Sequence, residues 1–162
     1  MNQNTAPCAA PAIGQHWPEE GGILVATMPA LYGNPAYHII VAADEEGKAR
    51  RAWGGYGEKV EGLSDIDGLA NTKILAATGK HPAASFCADL RLHGKDDWYL
   101  FANREASLLR AVSPELFGKG YHWTSTQYSA YGAFGQDFGD GVQIIDGKDF
   151  EGLVRAVRRV IA

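Results

Sequence analysis

Cysteine is scarce in this chain: Cys8 and Cys87 are the only two in 162 residues. Two cysteines exclude a disulfide framework, and neither has metal-site spacing. Cys8 sits in a Pro/Ala-rich leader and Cys87 in an apolar helical pattern. A Cys8–Cys87 bridge is open, with a buried Cys87 and a peripheral Cys8 the favoured reading. Long hydrophobic runs are also missing, so no stretch reaches membrane-spanning length. The opening MNQNTAPCAAPAIGQ has neither the charged nor the apolar region of a signal peptide. Synthesis in the cytoplasm is therefore expected, with any role outside the cell reached by assembly into a particle. Excess positive charge is lacking too. A net charge of −4 gives no electrostatic reason to expect nucleic acid or an anionic membrane as partner.

Catalytic patterns are equally sparse. The five histidines, His16, His38, His81, His93 and His122, share no HxH or HxxxH spacing, so no metal site is expected. Asp65-Ile-Asp67-Gly68 opens like a calcium loop, but Ala76 stands where the closing Glu belongs. Asp65 reads instead as a helix cap. Ser125 has no nucleophile elbow. Gly54-Gly55-Tyr56-Gly57 lacks the ending of a phosphate loop, and no cofactor is expected. Asp137 and Asp140 around Phe138-Gly139 read as turn carboxylates, with an acid/base pair or a Ca²⁺ ligand pair the alternatives. No catalytic set emerges, and a non-enzymatic protein is expected.

What the chain does have is glycine, 20 residues, with 46% apolar and 21% charged content. This suits one globular domain rich in turns. Residues 1–12 read as a flexible leader and 13–162 as a single domain. Ile23–Met28 and Tyr37–Ala43 read as strands, Asp44–Gly47 as a turn, and Arg50–Gly62 as a long ordered loop. Helical periodicity starts near Asp65, stops at Gly79, restarts at Pro82 and ends by Gly94. Trp98–Phe101 reads as a strand and Arg104–Val112 as a third helix. Strands follow at Tyr121–Thr126, Ala133–Phe138 and Val142–Ile145. The order of strands, helices and strands is an α+β pattern. For the final GLVRAVRRVIA, periodicity slightly favours a helix. Its basic cluster, Arg155, Arg158 and Arg159, reads as a solvated face or as partners for the excess carboxylates.

The segment Gly120–Gly141 holds six aromatic residues among Gly, Ser, Thr and Gln, without Lys or Arg. It is either a set of core strands joined by glycine turns or a binding surface. Tyr with Ser and Gly is the mixture of adaptable binding loops. Gln127, Tyr128, Tyr131 and Phe134, with Tyr56 and Trp53, form the candidate ligand-binding set. Trp98, Trp123 and Phe138 are expected in the core.

Seven segments in order resemble one family. They are Gly21–Val25, Leu69–Thr72, Ala83–Leu90, Asp96–Leu100, His122–Thr126, Gln136–Gly141 and Val154–Arg158. Together they are similar to the Lcl C-terminal-type domain, a family named for the end of a collagen-like bacterial adhesin and widespread in phages. The resemblance spans about residues 13–160. It departs at Leu100–Ala106, where the family's Pro and hydroxyl cap are lost and Glu105 is kept; Asn103 is the substitute cap. The chain also has no Gly-X-Y stalk.

The resemblance implies a C-type-lectin-like α+β fold with short antiparallel strands, two to three helices and long ordered loops. It implies no calcium, and it makes the Val154–Arg158 segment a strand returning to the core sheet. The catalytic cousin of the fold, the formylglycine-generating enzyme, needs a late Cys pair that is missing here. The implied function is a phage tail or baseplate receptor-binding protein in the virion, touching a host-surface glycan, pilus or protein. A virion assembly or decoration protein, or a bacterial adhesin domain, is the alternative. A homo-oligomer is expected, a trimer by analogy with phage tails, with other virion proteins as further partners. No nucleic acid or membrane insertion is expected.

Overall fold

A computed structural model describes residues 9–162, so any expectation on Cys8 lies outside the described residues. Nine strands and three α-helices are formed among them. In chain order these are β1 (His16–Trp17), β2 (Gly22–Met28), β3 (Tyr37–Val41), β4 (Lys48–Ala52), α1 (Gly68–Thr78), α2 (Pro82–Asp89), β5 (Tyr99–Leu100), α3 (Asn103–Val112), β6 (Tyr121–Gln127), β7 (Gly132–Asp137), β8 (Gln143–Gly147) and β9 (Glu151–Ile161). The α+β class is that of the sequence pattern.

The hub is β9. Its C-terminal half pairs antiparallel with β3, from Tyr37–Ile161 to Val41–Val157, and with β5 at Tyr99–Val157. Its N-terminal half pairs antiparallel with β4 and, through His122–Leu153, parallel with β6. The path β1-β2-β3-β9-β6-β7-β8 thus runs through the last strand of the chain's described part. The helix that periodicity favours at this segment does not form. A strand buried on both faces shows no alternation, so its pattern cannot be told from a helix. Val154 and Ala156 pack with Trp53, Trp98, Trp123 and Leu100, whereas Val157 packs with Tyr37, Tyr99, Phe101 and Phe138.

The arginines of β9 are not a solvated face. Arg155 and Arg158 are each 5% exposed. Arg155 donates to the Ala42 and Leu116 carbonyls, and Arg158 to Asp97 and Glu20. Arg159 lies over the Tyr37 and Tyr99 rings and pairs with Asp67 at 3.2 Å.

Strand β4 occupies part of the expected loop. Its sequence, KARRA, has weak strand preference and is held by pairing with β9. Helix α1 is capped by Asp67, whose Oδ1 accepts from the Ala70 amide, and not by Asp65. Helix α2 ends at Asp89. Gly94 serves the next turn instead, where His93 and Gly94 both take positive φ, 52° and 71°. Helix α3 has Ala102 at its cap position, so Asn103 is not the substitute cap. Glu105 does half the work of a capping box by accepting from the Ala102 amide at 3.0 Å.

Glu105 is also where the helices meet the sheet. It is fully buried and accepts from the Gly68 amide and the Tyr37 and Tyr99 hydroxyls. Gly68 allows this approach: a Cβ there would lie 2.5 Å from Glu105 Oε1 and 2.7 Å from the Leu100 carbonyl.

Candidate functional site

Three segments converge around the exposed tyrosines. Tyr56 comes from the loop after β4, Tyr128 and Tyr131 from the β6–β7 connection, and Ile145, Asp146 and Gly147 from β8. The three rings are 57%, 61% and 59% exposed in that order. Tyr56 and Tyr131 meet edge to face at 5.2 Å. Tyr128 meets the half-buried Phe134 in the same way at 5.6 Å. Between them lies a shallow open groove of about 290 Å³.

The groove is built on fixed backbone. Ser129 Oγ accepts from the Tyr131 and Gly132 amides, and the Gly132 carbonyl accepts from the Tyr128 and Ser129 amides. The turn that presents the two tyrosines is therefore stapled. The Gly57 amide donates to the Ala130 carbonyl at 2.9 Å and ties the Tyr56 loop to that turn.

Gln127 strengthens the same tie rather than facing solvent. Its amide donates to the Val60 carbonyl at 3.0 Å and accepts from the Val60 amide at 2.9 Å. Its Oε1 also accepts from Lys148 Nζ at 2.7 Å. Lys148 is fully buried, donates to the Glu58 carbonyl as well, and lies 4.8 Å from the Trp53 ring. Burial pushes its ammonium down to about 8, against the pull of Glu58.

Trp53 is not part of the surface. It is 1% exposed, donates from Nε1 to the Thr124 carbonyl, and meets His81 edge to face. Its place is the core, just past the end of β4, where the Thr124 carbonyl and the His81 ring hold it. Of the six candidate residues, the structure brings Tyr56, Tyr128 and Tyr131 together at the surface. Phe134 is set beneath Tyr128, Gln127 is committed to loop anchoring, and Trp53 is buried. Trp98, Trp123 and Phe138 are buried as expected.

No protein-family model matches the chain, and no curated protein matches it.

The carboxylates weighed for chemistry have structural work. Asp137 Oδ1 accepts from the Gly139 and Asp140 amides, and Asp140 Oδ1 from the Val142 amide. Glu105 is sealed from solvent with donors on both oxygens; burial pushes its carboxyl up, against Arg159 and its hydrogen-bond donors. A cavity of about 80 Å³ lies between Met28, Leu31, Tyr37, Ile66 and Arg159, away from the tyrosines. Among the described residues, no group of three His, Cys, Asp or Glu side chains could hold a metal ion. Sequence reasoning missed Ser129, Asp146 and Lys148. Ser129 had the signal of a small polar residue inside the aromatic turn; the other two had none, since they reach the site through strand pairing and contacts with segments distant in sequence.

Proposed function

We propose that this chain is a non-enzymatic recognition domain of C-type-lectin-like fold, displayed at a phage tail or baseplate to contact the bacterial surface. The observation that carries the reading is the cluster of exposed Tyr56, Tyr128 and Tyr131 on stapled loops. Large amphipathic rings held in place bind with little ordering cost, because their conformations are set before the partner arrives. The resemblance to the Lcl C-terminal-type domain supports the same role and the same fold. The ligand is a host-surface glycan, pilus or protein, and a homo-oligomer presents several copies at once, so weak single contacts add.

The test is binding of labelled domain to host cells, together with competition against phage adsorption. Wild type binds and competes. Tyr128→Ala and Tyr131→Ala each lower affinity roughly 30-fold or more, as loss of an anchor residue does. Both variants keep the wild-type melting temperature. Unchanged binding in both would sink the assignment. Wild-type domain that binds virions but leaves adsorption untouched points to the assembly or decoration role instead.

A further inference from the structure

The ladder β4-β9-β6-β7-β8 has two ends of opposite character. At one end is β8. The Val142 carbonyl accepts from the Asp137 amide, and the Lys148 amide donates to the Tyr131 carbonyl. The even-numbered residues of β8 thus bond to β7. In an antiparallel ladder the alternate residues turn the other way, so Gln143 and Ile145 point their N–H and C=O outward. Val142, Ile144 and Ile145 are 49%, 38% and 46% exposed. No Lys, Arg or Pro stands between Val142 and Gly147, although natural edge strands usually carry such guards. The solvent-facing charges near this edge are acidic: Asp146 on the strand and Asp149 after it, with Lys148 between them buried.

At the other end β4 pairs with β9 alone. It exposes Lys48, Arg50 and Arg51. Arg50 and Arg51 donate only to the Glu151 and Arg50 carbonyls, and neither forms an ion pair among the described residues.

We propose that a second copy of this chain docks here by strand addition, its β4 edge against the β8 edge of the first. Charge selects this occupant. Pairing β8 with another β8 sets Asp146 and Asp149 against their own kind, and pairing β4 with β4 does the same for its cations. Only β8 on β4 places acids against unpaired arginines while covering Ile144 and Ile145. The contact uses two different surfaces, so it runs head to tail and closes as a ring of three or more copies or continues as an open chain. It rests on the homo-oligomer reading above and names its interface; Ile145 and Asp146 also line the tyrosine groove, so only variants on the β4 edge separate the two readings.

The experiment is the mass of the full chain by light scattering and sedimentation at low and high salt. Wild type gives three or more copies at low salt and fewer at high salt. Ile145→Pro removes one outward N–H without touching the bonds to β7, and it yields monomer. Should that variant fail to fold, Ile145→Lys places a guard on the same edge and yields monomer too. Arg50→Glu and Asp146→Lys each yield monomer, and the two combined restore the assembly. A monomeric wild type, a mass of two copies, or an assembly indifferent to both Ile145 variants overturns the proposal. Cell binding by monomeric Arg50→Glu separates this from the recognition reading. That variant keeps its tyrosines and still competes with wild type, at lower avidity; if it does not bind at all, recognition fails while the interface stands on the mass data alone.

Discussion

Glu105 and His122 show how single buried polar groups hold this fold. Glu105 receives two amides and two hydroxyls from four different segments. Removing one member of such a network leaves the rest unpaired in a dry site. Glu105→Ala should therefore cost about 3–5 kcal/mol in urea denaturation. Glu105→Gln, which keeps the shape, should cost less; equal losses would show that hydrogen bonding to the carboxylate rather than packing volume dominates. His122 is buried beside Phe117 and Phe138, and burial lowers its pKa from 6.5 to about 4. His81 is shifted in the same direction by burial. Between these values the unfolded chain takes a proton that the folded chain refuses. Stability is thus complete above about pH 6.5 and falls as pH drops towards 4, by up to about 3 kcal/mol for His122 alone. Urea midpoints across this range should fall accordingly, and His122→Gln should flatten the slope. A slope unchanged by that substitution would remove His122 as its source.

At the scale of elements, the clip of Gln127 and Lys148 decides where Tyr56 stands. Gln127→Ala removes both bonds to Val60 and one partner of Lys148. Amide exchange at Val60 and Gly57 should quicken at least roughly tenfold, since their protection depends on that local closure. Host binding should weaken although no ligand contact is lost; unchanged exchange would mean the Gly57–Ala130 bond suffices. This clip also marks what could be read beforehand. The hydrophobic strands β2 and β3 and the helices α1 and α3 were legible, because their patterns are local. The exposed tyrosines were legible from composition. Lys148 and Gln127 were not, because a buried lysine is identified only by the carbonyls that surround it. Nor was β4, whose KARRA sequence becomes a strand only opposite β9. Periodicity alone misread β9, whose buried arginines mimic a helical face, whereas the strand that the resemblance implies at Val154–Arg158 is the one that forms. Trp53 was misplaced because the group that holds it, the Thr124 carbonyl, is distant in sequence and no local pattern announces it.

Across the whole molecule, β9 joins what the rest of the chain leaves apart. Four strands pair with it, from β3 near the start to β6 past the middle. Its amides, Val154 to Val157 above all, should exchange only through global unfolding and be the slowest in the protein. Faster exchange there than in β2 would show that the β1–β2–β3 part is stable alone. Because every one of those partners precedes β9 in sequence, a chain still being made has its sheet in separate pieces until that strand leaves the ribosome. At ordinary elongation rates of about 5–20 residues per second, that interval is roughly 6–24 seconds counted from the end of β3. For its duration β3 and β5 lack the strand that covers their open edges in the folded protein. A message broken anywhere before Glu151 yields a product that lacks the strand joining β3, β4, β5 and β6.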